Sequence, residues 1–187
     1  MENTMINIIC YTGGTCGDLV AAIIDPTGCK FYQNAVMHAP DRIKLKKSHL
    51  FNNNEEKDQY IDTVGKQYLS IPSHDIDYHI DRKHNFIGIT VHDKKTAIWA
   101  ANRFKKLHRP SVWEEMCNAC GAKTVDDYAQ ILIDYSYMVS NHTNRLIKLE
   151  DIINGNAIDS LIQLGIEKPS VNLYNNWLAI HNGHFII

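Results

Sequence analysis

Short apolar runs alternate with amphipathic segments along most of this chain. Four runs predict strands: Met5–Tyr11 (MINIICY), Gln67–Ile71 (QYLSI, ending at Pro72), Asn85–Val91 (NFIGITV) and Arg145–Leu149 (RLIKL). The first run is almost continuously apolar, which is typical of a parallel strand that is covered on both faces.

Helical spacing of apolar residues predicts five helices between and after these strands: Leu19–Asp25, Lys94–Leu107, 112–120, Val125–Ser140 and Ile158–Leu164. Asp93 is the expected N-cap of the second helix, and Ser111 with Glu114 forms the expected capping box of the third. Gly165 is the expected residue after the end of the last helix. Residues 30–60 are less informative: Pro40 and Asp41 suit the start of a short helix, and 52–54 suit a solvated loop or a helix start.

The alternation of strands and helices predicts one α/β domain over residues 1–187, with a parallel central sheet and helices on both faces, in three layers. A length of 187 residues suits a single domain, and the apolar fraction of 44% is enough for a sizeable core.

Charge and composition exclude several classes of protein. A formal net charge of −2 disfavours a general nucleic-acid binder, and no apolar run approaches the ~20 residues that cross a bilayer. The first residues carry no basic segment of a secretory leader. Five irregularly spaced cysteines do not suggest a disulfide framework, so we expect a reducing, cytoplasmic setting. A compact chain with few accessory segments suits a viral or phage genome, in which case the location would be the host cytoplasm.

The strongest chemical signal is the glycine-rich turn between the first strand and the first helix. The residues of this turn are Thr12, Gly13, Gly14, Thr15, Cys16 and Gly17. Glycines let an anion approach the backbone, and the free amides at a helix N-terminus favour negative charge there. The turn therefore predicts a phosphate cradle, in which the Thr15 hydroxyl would be a further donor. The alternative is a tight turn that binds nothing.

The turn departs from the best-known phosphate-binding motifs. It matches neither G-x-x-x-x-G-K-[ST] nor G-x-G-x-x-G, which disfavours a standard ATP or GTP hydrolase and a Rossmann dehydrogenase. Asp18 follows at once, and its carboxylate would either complement the helix N-terminus or repel a phosphate. Cys16, at the same N-terminus, is a candidate for a lowered thiol pKa.

Four segments, in order, resemble the sulfotransferase family. They are the strand with YTGGTCGDLVAAIID, the segment LSIPSH at 69–74, the segment IGITVHDKKTAIWAANRF at 87–104, and RLIKLEDII at 145–153 with the helix that ends in LIQLGI. The resemblance implies a P-loop-type α/β fold. It also implies transfer of a sulfuryl group from 3′-phosphoadenosine 5′-phosphosulfate to a hydroxyl or amine of a small-molecule or glycan acceptor.

The same resemblance implies roles for individual residues. The glycine turn would hold the phosphosulfate, and His74 would be the general base, oriented by Asp75 or Asp77. His92 and Lys94 would lie near the donor's phosphates. Lys95 and Arg103 are further candidates for positive charge, although a solvated helix face also explains such residues.

Three departures from the family pattern bear on activity. The turn has no basic residue, the family's arginine falls at His92, and its serine falls at Ala100. The C-terminal basic, glycine-rich loop of the family has no clear counterpart. The alternatives are therefore a P-loop-type nucleotide or nucleoside kinase with a divergent loop, or a non-catalytic protein that keeps the fold.

Other clusters do not predict a metal site. Cys117 and Cys120 form a lone C-x-x-C, whereas a structural zinc site needs about four ligands. His74, His79 and His84 are spaced by five, which does not place them on one helix face.

Overall fold

The structure is a computed structural model that describes residues 6–27, 30–31, 37–38, 51 and 53–181. The strands are β1 (Asn7–Cys10), β2 (Lys30–Phe31), β3 (Met37–His38), β4 (Ser70–Ser73), β5 (Phe86–Thr90) and β6 (Leu146–Lys148). The helices are α1 (Gly17–Ile24), α2 (Asn54–Gly65), α3 (Ile76–Asp81), α4 (Lys94–Leu107), α5 (Pro110–Cys120), α6 (Val125–Ser140), α7 (Leu149–Ile153), α8 (Ala157–Gln163) and α9 (Val171–His181).

Four strands form a parallel sheet in the order β4-β1-β5-β6. The pair β2 and β3 is a separate antiparallel ribbon. The predicted α/β class and parallel sheet are thus confirmed. None of the helices in the described ranges combines the length and the apolar character that spanning a membrane requires.

Side chains of alternate strand residues point to opposite faces of the sheet, and helices cover both. On one face Ile9, Ile87 and Ile147 pack in a core with α1, α4 and the helices after β6. On the other face Ile8 and Phe86 pack with α2, α3 and the end of α6. This double coverage explains why the strands are so continuously apolar.

Several predicted boundaries are confirmed. The helices over Lys94–Leu107 and Val125–Ser140 begin and end where expected, and the Asp93 carboxylate accepts the Thr96 amide hydrogen at 2.6 Å. Gly165 follows α8 with φ = 85°, a conformation that favours glycine.

Other predictions are wrong. The helix α1 begins at Gly17, two residues before the predicted start. The strand β4 includes Pro72, which was expected to end it. Its described partner is β1 on one side only, and such an edge position tolerates a proline without an amide hydrogen. The expected capping box at Ser111 is absent, because α5 begins with Pro110 at its first position and Arg109 as its N-cap.

Some elements were not predicted. The helix α2 covers a segment expected to be a loop or a helix start, and its N-cap is Asn53. The helices α3, α7 and α9 were also missed. The short helix expected at Pro40 and Asp41 lies outside the described residues.

Candidate functional site

The glycine turn lies at the carboxyl end of β1, which is a central strand of the parallel sheet. β4 and β5 flank β1, so the chain leaves β1 towards one edge and leaves β5 towards the other. In open α/β sheets, ligands bind at the carboxyl ends of strands where the connections diverge in this way. The predicted strand, turn and helix are confirmed, and they lie at such a point.

Two residues of the turn adopt left-handed backbone conformations. Gly14 has φ = 93°, and Cys16, which caps α1, has φ = 64°. Thr15 is fully buried, and both its amide and its hydroxyl donate to the Thr12 carbonyl oxygen, at 3.2 and 2.8 Å. The Thr15 hydroxyl is therefore already used within the turn.

Most other amides of the turn make no internal hydrogen bond. Within the described part of the chain, this is the case for the amides of Gly13, Gly14, Cys16 and Gly17. Such groups are the donors that a bound anion would need.

The glycines also allow unusually close packing. A Cβ atom at Gly13 would lie 2.7 Å from the Phe104 ring, and one at Gly14 would lie 2.5 Å from the Ala100 carbonyl oxygen. A Cβ atom at Gly17 would lie 2.0 Å from the Tyr11 ring. The turn is thus pressed between α4 and Tyr11, so the glycines have a structural role whether or not an anion binds.

A cavity of about 120 Å³ opens beside the turn. It brings together residues from the turn, the start of α1, the end of β4, the second half of α4, and α9. Its lining residues are Tyr11, Gly13, Gly14, Cys16, Gly17, Asp18, Leu19, His74, Arg103, Phe104, Leu107, His108 and Trp177. A water molecule occupies about 30 Å³ in the liquid, so the cavity suits a group of phosphate or sulfate size. A whole nucleotide would have to extend outside it.

Arg103 brings to the cavity the positive charge that the turn itself lacks. Its guanidinium carbon lies 5.7 Å from the centre of the Trp99 ring, and its Nε atom is buried without a hydrogen-bond partner among the described residues. The Asp18 carboxylate lines the same cavity and offsets part of this charge. Lys94 and Lys95, by contrast, are exposed and do not line the cavity.

His74 lies at the cavity directly after β4. Its Nδ1 atom is 3.0 Å from the Tyr11 carbonyl oxygen, and its ring stacks at a tilt on the Tyr11 ring with centroids 4.1 Å apart. A carbonyl only accepts, so Nδ1 is the donor, and the neutral ring carries its lone pair on Nε2. Among the described contacts of this ring, the hydrogen bond to the Tyr11 backbone therefore orients it. Asp75 instead forms a buried ion pair with Lys57 at 2.6 Å, and Asp77 is exposed.

The thiol of Cys16 does not have the lowered pKa that its position suggested. Burial raises the pKa of Cys16, and the nearby Arg103 charge only partly opposes this effect. Burial and the Asp18 carboxylate likewise raise the pKa of the Tyr11 hydroxyl well above its ordinary value. Both groups are therefore neutral at physiological pH.

The two residues expected near the donor's phosphates, His92 and Lys94, follow β5 and do not line the cavity. The backbone there already has an acidic partner. The amides of His92 and Asp93 donate to the Glu150 carboxylate, at 3.4 and 3.2 Å. The His92 ring packs against Tyr137 with centroids 5.1 Å apart.

The remaining histidine and cysteine clusters hold no metal-binding arrangement. Within the described ranges, no three His, Cys, Asp or Glu side chains converge in a way that could bind an ion. His79 and His84 nevertheless contact each other, because the chain reverses after α3 with Lys83 at φ = 55°. The spacing of five gave no sign of this contact, which depends on a turn and not on a helix face. Cys117 and Cys120 lie in the last turn of α5, one buried and one exposed.

Comparison with known proteins gives no match to a family model, to a curated protein or to a solved structure. These comparisons therefore add no evidence about the function.

Proposed function

We propose that this protein is a group-transfer enzyme that binds the phosphosulfate end of 3′-phosphoadenosine 5′-phosphosulfate at the glycine turn and passes the sulfuryl group to an acceptor. One observation carries the proposal: the turn residues whose amides have no hydrogen-bond partner among the described residues line one small cavity at the carboxyl end of β1, together with Arg103 and His74. The resemblance of four sequence segments to sulfotransferases supports the same choice.

The cavity residues would have two separate roles, proton transfer and stabilisation of negative charge. Nε2 of His74 would take the proton from the acceptor hydroxyl as its oxygen bonds to sulfur. The bond from sulfur to the nucleotide's phosphate oxygen would break, and the negative charge left on that oxygen would be stabilised by the turn amides and Arg103. The size of the cavity suits the reacting group alone, with the nucleoside outside.

Ligand-induced stabilisation tests the proposal directly. We expect 3′-phosphoadenosine 5′-phosphate to raise the melting temperature, because a ligand that binds only the native state stabilises it. ATP with Mg²⁺ should have a weaker effect. The reverse ranking would support the kinase alternative, and no effect of either ligand would favour a non-catalytic protein.

Two variants make the test specific to the site. Arg103→Gln should weaken binding about tenfold or more, as expected for a hydrogen bond to a charged group. Lys106→Gln removes an exposed charge from the same helix and should leave affinity unchanged. Equal losses in both variants would contradict a specific role for Arg103.

A further inference from the structure

A second group of polar side chains lies on the opposite face of β4, away from the cavity at the glycine turn. His79 is fully buried, and its Nε2 atom lies 2.8 Å from the Ser73 hydroxyl oxygen. Its Nδ1 atom lies 3.0 Å from Nδ1 of His84. We call Ser73, His79 and His84 the histidine relay. Ser73 directly precedes His74.

One end of the relay reaches the surface. The His84 side chain is 26% exposed and lines a cavity of about 330 Å³ together with Asp58, Asp62, Ile61 and Arg82. Nε2 of His84 lies 3.9 Å from Oδ1 of Asp58. Asp58 also accepts hydrogen bonds from the Tyr78 hydroxyl and from Arg82.

Several charged or titratable groups face the two histidines. From α2 they are Lys57, Asp58 and Asp62; from α3 and the residue after it, Tyr78 and Arg82; and from the turn after β4, Asp75. The Lys57–Asp75 pair leaves little net charge beside His79.

Two nitrogens that face each other at 3.0 Å share one hydrogen, so the tautomers of His79 and His84 are linked. When His84 is neutral, its Nε2–H faces the Asp58 carboxylate and its Nδ1 accepts from Nδ1–H of His79. Nε2 of His79 then accepts from the Ser73 hydroxyl. Every group in the relay has a partner in this arrangement.

Protonation of His84 reverses the direction of these hydrogen bonds. Nδ1 of His84 then becomes a donor, which forces the hydrogen of His79 onto Nε2, where it donates to the Ser73 oxygen. That oxygen also accepts the Asp75 amide hydrogen at 3.2 Å. The hydrogen of the buried Ser73 hydroxyl loses its acceptor, which opposes the protonation of His84.

We propose that Ser73, His79 and His84 form a hydrogen-bond relay in which protonation of His84 at the surface cavity switches the tautomer of His79 and reorients the Ser73 hydroxyl next to His74. The relay is a pH-sensitive device in the fold, and it does not depend on what binds at the glycine turn. In keeping with it, burial lowers the pKa of His84, an effect that Arg82 reinforces and Asp58 opposes.

Nuclear magnetic resonance of ¹⁵N-labelled histidine rings in the full chain tests the relay. As His84 titrates, the nitrogen shifts of His79 should exchange from the Nδ1–H to the Nε2–H pattern while that ring stays neutral. Shifts of His79 that stay constant through the titration of His84 would overturn the proposal without any variant.

A matched pair of serine variants gives a second test. Ser73→Ala removes the group that opposes protonation, so the apparent pKa of His84 should rise by about 0.5 to 1 unit, the equivalent of one neutral hydrogen bond. Ser70→Ala removes another buried hydroxyl of β4, which donates to the Ala21 carbonyl on the opposite face. It should leave His84 unchanged. An unchanged pKa in Ser73→Ala, or an equal rise in both variants, would count against the relay.

Discussion

Nδ1 of His74 donates to the Tyr11 carbonyl oxygen, and this bond joins the carboxyl ends of two neighbouring parallel strands. Tyr11 also lies directly over Gly17, the first residue of α1. The imidazole and the glycine turn are therefore held as one unit, and their relative position is set by the register of β1 and β4.

Replacement of Gly14 by alanine should be strongly destabilising. Its φ of 93° disfavours any other residue, and the new Cβ atom would lie 2.5 Å from a backbone oxygen of α4 that cannot easily move. We expect a loss of about 3 kcal/mol or more in the free energy of unfolding, measured by urea denaturation. Gly121→Ala is the control, since Gly121 has φ = 78° but open space around it, and it should lose only about 1 kcal/mol. Equal losses would mean that the turn is not tightly packed under α4.

The buried Lys57–Asp75 pair should be sensitive to the loss of either partner. Asp75→Asn leaves the Lys57 ammonium buried without a counter-charge, and we expect a loss of about 3–5 kcal/mol. Arg82→Gln breaks the more exposed pair with Asp58 and should cost no more than about 1 kcal/mol. A Lys57→Met/Asp75→Leu double variant should lose less than the sum of its single variants. Additive losses would show that the two charges do not interact.

Stability should fall as the pH falls through the range of His79. Burial, reinforced by His84, lowers the pKa of His79 from 6.5 to about 3. The unfolded chain therefore binds more protons than the native protein between these values. The contribution of neutral His79 to the free energy of unfolding is therefore complete above about pH 6.5, and it is lost as the pH falls towards 3.

Denaturation from pH 6.5 to pH 5, where most carboxylates stay ionised, measures this effect. We expect a slope of up to about 1.4 kcal/mol per pH unit from His79. His79→Gln should flatten the slope, whereas His142→Gln, at an exposed position, should not change it. A flat profile for the unaltered protein would indicate that His79 protonates in the native state.

Thiol labelling should discriminate between cysteines by burial. Cys16 is 7% exposed and its pKa is raised by burial, whereas Cys120 is exposed. Iodoacetamide followed by peptide mapping should show Cys120 modified at least roughly ten times faster than Cys16 at pH 8, because only an accessible thiolate reacts. Cys120→Ser confirms the assignment. Preferential labelling of Cys16 would restore the idea of an activated thiol at the helix N-terminus.

The sequence predicted those elements whose apolar periodicity and capping residues are enough to determine them. The strands β1 and β5 and the helices α4 and α6 have strong periodicity and clear caps, so their positions were predictable. The strand β4 and the helices α2 and α3 were harder, because Pro72 suggests a strand end and the polar residues 53–60 resemble a loop. Their structure comes from packing against β1 and from the buried Lys57–Asp75 pair.

Some features of the candidate site were likewise predictable from the sequence, and others depend on tertiary contacts. The glycine turn and His74 could be found from sequence because each lies next to a strand end. The hydrogen bond between His74 and the Tyr11 backbone could not be predicted, because every residue has a carbonyl and the residue type does not indicate which one accepts. Arg103 was one of several basic candidates, and only the path of α4 across the turn distinguishes it from Lys94 and Lys95.

The Glu150 side chain occupies two backbone amides just after β5. Its carboxylate already accepts the amides of His92 and Asp93, so the chain supplies an acidic occupant for the end of β5. A ligand whose only acidic group binds at the glycine turn would not need the amides that Glu150 occupies. A ligand with a second acidic group directed at the end of β5 would have to displace the Glu150 carboxylate from these two amides.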